Sequence, residues 1–358
     1  MIDFHYQINP GRIIFGAGKL AQAKAEAEAL GMRRVLVLST PQQRPLAEDL
    51  AARLGDIAVG IYDQAVMHVP VETVADVMGV ARKFEVDGCA AIGGGSTIGL
   101  AKAIALETDL PILAIPTTYA GSEMTPVWGL TRDGLKTTGR DTRVLPKTVI
   151  YDPELTLELP DFISGPSGMN AIAHCVEGLY SQSQNPVTSL MAEEGIRALA
   201  QSLPVVVRTP GDIEARAQAL YGAWLAGTVL GTVGMAIHHK LCHTLGGSFN
   251  LPHAEVHTVV IPQATAFNQA HAPKAMAAIG RALGVKAEDA APALFDLALS
   301  LGAPVALKDI GMKESDLEKA AGIATTNPYY NPRPVIRDDV LALLHQAYDG
   351  IRPSAAAI

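Results

Sequence analysis

Residues 88–107 read GCAAIGGGSTIGLAKAIALE. A short apolar run leads into three consecutive glycines, then Ser96 and Thr97, then a helical pattern. Strand, glycine loop and helix in this order form a phosphate-binding unit. Glycine lets the backbone approach a pyrophosphate, and the helix start offers N–H groups and a positive dipole end. The spacing departs from GxGxxG, because Ile98 stands where the third glycine would be. On the pattern alone, a tight turn without a ligand stays open.

The flanking sequence repeats the alternation. RRVLVLST (33–40) is an apolar run of the kind buried in a parallel sheet, followed by a helix over 44–54, a strand over 57–61 and a helix over 71–84. LPILAIPTT (110–118) is the next strand. Two short strands around Asn9-Pro10-Gly11 and a helix over 19–30 precede them. This predicts an α/β domain with a Rossmann-like, doubly wound parallel sheet over residues 1–155. Ligands of such sheets sit at the carboxyl ends of the strands. Gly93, Gly94, Gly95, Ser96 and Thr97 are therefore candidate cofactor residues, together with Thr117, Thr118 and Ser122 of IPTTYAGSE (115–123). Ser39 at the end of its strand and Lys136 complete that set. From residue 156 to 358 the apolar residues recur at helical spacing, as in SLMAEEGIRALAQSL, and an all-helical second domain is expected.

Composition sets outer bounds. The 358 residues carry a formal charge of −8, with 49% hydrophobic and 18% charged residues, so two folded domains are expected. An acidic chain argues against nucleic acid or a membrane surface as partner. Neither a signal-peptide pattern nor an apolar run of about 18 residues is present. Cys89, Cys175 and Cys242 are scattered and odd in number, which favours free thiols in a reducing cytoplasm.

The second domain concentrates histidines. In GMNAIAHCVEG (168–178), Asn170 and His174 stand four apart and share a helix face. In AIHHKLCHTLGGSFNLPHAEVH (236–257), His239 and His243 form another such pair, and His253 follows a Gly-Gly loop and a proline. Histidines at these spacings suit a metal or an acid–base site.

Together, the GGGS loop, IPTTYAGSE, DPELT (152–156), GMNAIAHCVE and HHKLCHTLGGSFNLPHAEV resemble the iron-dependent (group III) alcohol dehydrogenase family, in the same order along nearly the whole chain. The resemblance implies a dehydroquinate synthase-like architecture, a site in the cleft between the domains, and a homodimer. It also implies a metal held at the positions of Asn170, His174, His239 and His253, with His243 as the proton-transferring histidine. The chain departs at Asn170, where the family carries Asp, and a neutral amide is a weak donor to a transition metal.

That departure, with NPVTSLMAEEGIRAL and TNPYYNPRP, resembles one branch in particular. Its members reduce the conjugated double bond of maleylacetate, giving 3-oxoadipate, with NADH or NADPH in the breakdown of aromatic compounds. They are regarded as metal-independent, so no metal is expected here. Histidines would replace it: His243 as the principal acid, with His174 and His253 as oxyanion donors or partners of the substrate carboxylates, and His239 in the same catalytic set. The small dicarboxylate substrate needs local partners, for which Asn170, Tyr329 and Arg333 are the candidates, with Lys240 and Arg143 behind them. No acid follows RVLVLST closely enough to repel a 2′-phosphate, and Arg44 would attract one. The rival readings are a metal-dependent dehydrogenase of a small alcohol or aldehyde, and a zinc-dependent relative of the same fold.

Overall fold

The computed structural model describes residues 4, 6, 7, 9, 11–133 and 135–354, apart from the side chain of Lys136. The expected strand before Asn9 falls largely outside them. The chain forms two compact units, Ile8–Leu159 and Pro160–Ile358 with Met1–Gln7.

The first unit is built on a parallel sheet. Its strands are β1 (Arg12–Phe15), β2 (Val35–Leu38), β3 (Ala58–Tyr62), β4 (Gly88–Gly93), β5 (Ile112–Pro116) and, after a hairpin, β8 (Thr148–Tyr151). The hairpin strands are β6 (Val127–Arg132) and β7 (Leu135–Arg140). The sheet order is β1-β8-β5-β4-β2-β3, with every pairing parallel. Helices α1 (Ala23–Ala29), α2 (Arg44–Leu54), α3 (Val71–Lys83) and α4 (Gly95–Thr108) alternate with the strands. β2 and β4 are buried at every position, as near-continuous apolar runs should be when helices cover both faces. Val35, Val37, Ala90, Ile92, Leu113 and Ile115 form one core with Leu50 and Leu54 of α2.

The hairpin is absent from the sequence reading. Its signal was Asp133-Gly134 between alternating residues. Asp133 turns with φ 50°, and β6 and β7 pair antiparallel from Val127↔Arg140 to Arg132↔Leu135. Lys136 lies on β7, opposite Thr131.

Pro160–Ile358 folds into nine helices among the described residues, with no strand. They are α5 (Asp161–Leu179), α6 (Pro186–Arg208), α7 (Ile213–Thr232), α8 (Ile237–Phe249), α9 (His253–Asn268), α10 (Pro273–Leu283), α11 (Ala290–Ser300), α12 (Leu317–Thr325) and α13 (Arg337–Asp349). α5 is buried on all sides from Ser164 to Leu179. Gly195 of α6 makes room for it, since a Cβ there would meet Cys175 Sγ at 2.8 Å. Gly246-Gly247 is a correction to the sequence reading. The pair lies inside α8, and the turn comes at Asn250, whose left-handed backbone (φ 54°) ends the helix. Among the described residues, no single helix is long and apolar enough to cross a membrane.

One buried cation braces the first unit. Lys102 of α4 is 1% exposed, and its Nζ donates to the carbonyls of Ser122 (2.6 Å), Thr125 (2.8 Å) and Val127 (2.9 Å). Burial lowers its pKa to about 7, against the pull of Glu123, which is itself bonded by Tyr151 at 2.7 Å. Lys102→Met would strip those carbonyls of their donor. We expect a loss of about 3 kcal/mol in urea unfolding, the cost of unmaking buried hydrogen bonds. An unchanged midpoint and slope would contradict the bracing role.

Candidate active site

The cofactor candidates of the first unit converge at strand ends. α4 starts at Gly95 with no side chain capping its N-terminus, and a Cβ on Gly95 would meet nothing within 4 Å. Gly93 has φ 154° and leaves no room for a side chain, because a Cβ would lie 2.8 Å from Gln43 Oε1. Gly94 is equally confined, with Thr118 Cγ2 at 2.9 Å from such a Cβ. The glycine loop and the Thr117-Thr118 loop therefore touch. Thr117 N donates to the Gly93 carbonyl (3.2 Å), and Gln43 Nε2 donates to Thr117 Oγ1 (2.7 Å). Ser39 and Thr97 are fully buried, and their hydroxyl oxygens have no hydrogen-bond partner in the structure. Exposed N–H groups at an uncapped helix start suit a phosphate.

Two candidates behave differently from the reading. Ser122 serves Lys102, with its carbonyl at 2.6 Å and its hydroxyl at 3.3 Å from Nζ. Arg44 is paired with Glu48 and with Asp63, each at 2.8 Å, so its charge is already met. Asp63 escaped the sequence reading because β3 brings it beside α2 from 19 residues away.

The histidines of the second unit come together on α5, α8 and α9. Asn170, His174 and Glu177 follow one face of α5, all buried. His174 Nδ1 lies 2.9 Å from His239 Nε2. The ring of His239 is 6.1 Å from that of His243, and the ring of His253 is 4.4 Å from that of His257. Glu177, His238 and His257 belong to this cluster although the reading assigned them no role. His257 packs against His238 at 4.8 Å, His239 at 4.9 Å and His174 at 6.1 Å between ring centres. Its spacing of four from His253 on α9 was the available signal.

Glu177 is fully buried between the helices. Oε1 accepts from His238 N at 2.8 Å, and Oε2 accepts from Ala236 N at 2.9 Å and His239 N at 3.3 Å. Oε2 also lies 2.7 Å from His239 Nδ1. Burial raises the pKa of Glu177, opposed by His238 and by the backbone donors. Burial lowers the pKa of His238 to about 3 and holds His239 and His257 well below the ordinary range, with neighbouring histidines adding to the effect.

The substrate candidates separate. Asn170 shares the α5 face of His174, and its Oδ1 is buried without a partner. Tyr329 lies under Lys240, whose Nζ is 5.7 Å from the ring centre, and its hydroxyl is likewise unpartnered. Burial raises its pKa. Arg333 goes elsewhere, stacking on Phe267 at 4.3 Å and pairing with Asp339 at 2.7 Å. Arg143 is bound to Asp141 and the Leu106 carbonyl.

Comparison with known proteins decides the family. Residues 10–153 match the iron-containing alcohol dehydrogenase family, and residues 165–348 match its C-terminal domain. The chain belongs to the iron-containing alcohol dehydrogenase family. It is 55% identical over 355 residues to a maleylacetate reductase of Sphingobium indicum, covering 99% of this chain and 100% of that protein. It is 56% identical over 354 residues to a maleylacetate reductase of Burkholderia cepacia, with coverage of 99% and 100%. The crystal structure of maleylacetate reductase from Agrobacterium tumefaciens superposes with a TM-score of 0.95 at 51% identity, again over 99% and 100% of the chains. The resemblance read from the motifs is borne out, and so is the fold of a parallel-sheet domain followed by a helical one.

The expectation that no metal belongs here is overturned. The family is iron-containing, and His238, His239 and His257 bring ligand atoms within 4.8 Å of one another. The loss of a carboxylate at Asn170 is legible in sequence, whereas the meeting of imidazoles from α5, α8 and α9 is not. The donor set fits a metal. Both ring nitrogens of His257 and Oδ1 of Asn170 are buried without hydrogen-bond partners, and imidazole suits iron and zinc.

The neutral rings make stability depend on pH. Below the ordinary value of 6.5, the unfolded chain takes up a proton at His238, His239 and His257 that the folded chain refuses. The folded pKa values are depressed, so this stability is complete above pH 6.5 and lost as pH falls. With three rings the slope approaches about 4 kcal/mol per pH unit below that point, reduced by Glu177, whose raised pKa acts in the opposite sense. Urea unfolding in the presence of a chelator, from about pH 7.5 down to about pH 5.5, measures it. A flat profile would show that the rings are charged in the folded chain.

Proposed function

We propose that the chain is an NAD(P)H-dependent maleylacetate reductase. What supports the reading most is full-length identity of 55% and 56% to maleylacetate reductases, in a chain whose buried Asn170 stands one helical turn before His174. The reaction takes maleylacetate, NAD(P)H and one proton to 3-oxoadipate and NAD(P)⁺. Hydride adds to the alkene carbon β to the ketone, and the electron pair of the double bond moves toward the ketone oxygen as an enolate. Protonation at the carbon α to the ketone completes the reduction.

The residues divide the work. Gly93, Gly94, Gly95, Ser96 and Thr97 hold the cofactor phosphates with Thr117, Thr118 and Ser39. His243 delivers the proton to carbon. His174, His239 and His253 would hold the family's metal with Asn170, and His257 adds a further nitrogen beside them. A bound metal ion would act as a Lewis acid toward the ketone oxygen. Asn170 and Tyr329 receive the substrate's polar groups. Arg333 is dropped from this set because Asp339 neutralises it. The enzyme works as a homodimer in the cytoplasm.

The direct test is oxidation of NADH in the presence of maleylacetate and, separately, of simple aldehydes. We expect maleylacetate to be strongly preferred, and His243→Ala to lower kcat about 10²–10⁴-fold while NADH binding holds. Aldehyde turnover that exceeds maleylacetate turnover would overturn the reading.

Cofactor choice gives a separate outcome. Ser39 carries no charge to repel a 2′-phosphate, so NADH and NADPH should differ in kcat/KM by less than about tenfold. Asp63→Ala releases Arg44 from one of its acids and should shift that ratio toward NADPH. A ratio that moves toward NADH would remove Arg44 from the cofactor site.

A further inference from the structure

The hydrogen bonds of the histidine cluster have a direction, and two fixed acceptors set it. The first is the Glu177 carboxylate, already held by three backbone N–H groups at the start of α8. Those donors favour the carboxylate as acceptor, so the 2.7 Å contact with His239 carries its proton on Nδ1. In a neutral ring the other nitrogen is then an acceptor. His239 Nε2 faces His174 Nδ1 at 2.9 Å, so His174 must donate from Nδ1 and keep its own lone pair on Nε2. The second fixed acceptor is the backbone carbonyl of His257. It lies 3.1 Å from His238 Nε2, which places the His238 proton there and leaves Nδ1 as an acceptor. That acceptor lies 3.3 Å from His239 Nδ1, consistent with a proton shared mainly with Glu177.

We propose that Glu177 is a positioning residue for the reaction: through His239 it fixes Nε2 as the nitrogen of His239 and of His174 that carries the lone pair, which a metal would take up in place of the contact between the two rings. Its cost in desolvation is offset by a second role as the N-cap of α8, whose own N-cap residue, Ala236, has no side chain to offer. The inference rests on the reading of these histidines as the active centre. It extends that reading from the ring positions to their tautomers.

Side-chain ¹⁵N NMR of the full chain, labelled at histidine, tests it before any substrate is added. Spectra are taken as purified and after dialysis against a chelator. We expect His239 with an N–H signal at Nδ1 and an acceptor signal at Nε2, and His174 with its proton on Nδ1. A proton on Nε2 of His239 would overturn the proposal outright. Because this measurement needs no turnover, it stands or falls independently of the substrate.

Glu177→Gln then separates positioning from capping. A glutamine amide presents hydrogens toward backbone donors, so the variant should lose both α8 stability and the fixed ring. We expect mixed His239 tautomers, and a fall of about 10- to 100-fold in both kcat and zinc affinity, the size of effect seen when a ligand's supporting hydrogen bond is removed. KM for NADH should stay within about twofold, because the change is confined to the histidine cluster. Adding Ala236→Ser supplies a local cap. If the double variant recovers stability but not kcat or the ring tautomer, positioning is supported. If the cap alone restores kcat, or if Glu177→Gln melts earlier with unchanged tautomers and turnover, Glu177 merely holds the helix and the proposal fails. Should Glu177→Gln not fold, the tautomers of the natural chain still decide it.

Discussion

Three backbone N–H groups and one imidazole end on the carboxylate of Glu177, a side chain with no exposure to solvent. Much of the helical unit's chemistry depends on this arrangement. A helix start needs acceptors for its first N–H groups, and the segment before α8, TVGMA, offers no Ser, Thr, Asp or Asn at the cap. The acceptor comes instead from α5, about 60 residues earlier, three positions after His174. One carboxylate therefore fixes where α8 begins, how it meets α5, and how His239 is turned. A buried ionised group is expensive alone, and the backbone donors offset its desolvation.

The cluster also shows how a ligand set can change without losing its capacity for metal. Asn170 stands where the resemblance implies an acid, and a neutral amide is the weaker ligand. His257 adds an imidazole at the next turn of the helix that begins with His253, and His238 adds another beside His239. Both nitrogens of His257 lack a hydrogen-bond partner in a site with no exposure. Polar atoms left so in a core are costly, and a coordinated ion or a bound polar group would relieve the cost.

In the first unit, the same logic holds loops rather than rings. The glycine loop cannot widen, because Thr118 and Gln43 occupy the space that side chains would need. Lys102 ties the segment after IPTT to α4 through three carbonyls. The cofactor loops are thus shaped from behind by buried polar contacts, while the uncapped end of α4 remains available to a phosphate.

Local periodicity carried much of the architecture. RVLVL, GCAAIG and LPILAIP are apolar on both faces, which only a sheet covered on both sides satisfies, and the long Ala-rich segments can only be helices. The glycine loop and the i, i+4 pairs Asn170/His174 and His239/His243 were legible because their spacing lies within a few residues. The β6–β7 hairpin had a legible turn in Asp133-Gly134 that the reading passed over. What the sequence alone did not determine lies in long-range pairing. Arg333 looked like a substrate anchor until Asp339 and Phe267 were seen to hold it, and Arg44 looked free until β3 set Asp63 beside it. The donor count of the centre, and the tautomers within it, depend on α5, α8 and α9 meeting at distances of a few ångströms. Spacing along one helix specifies which residues share a face, but not which other face they will meet, and electrostatic coupling is set by that meeting.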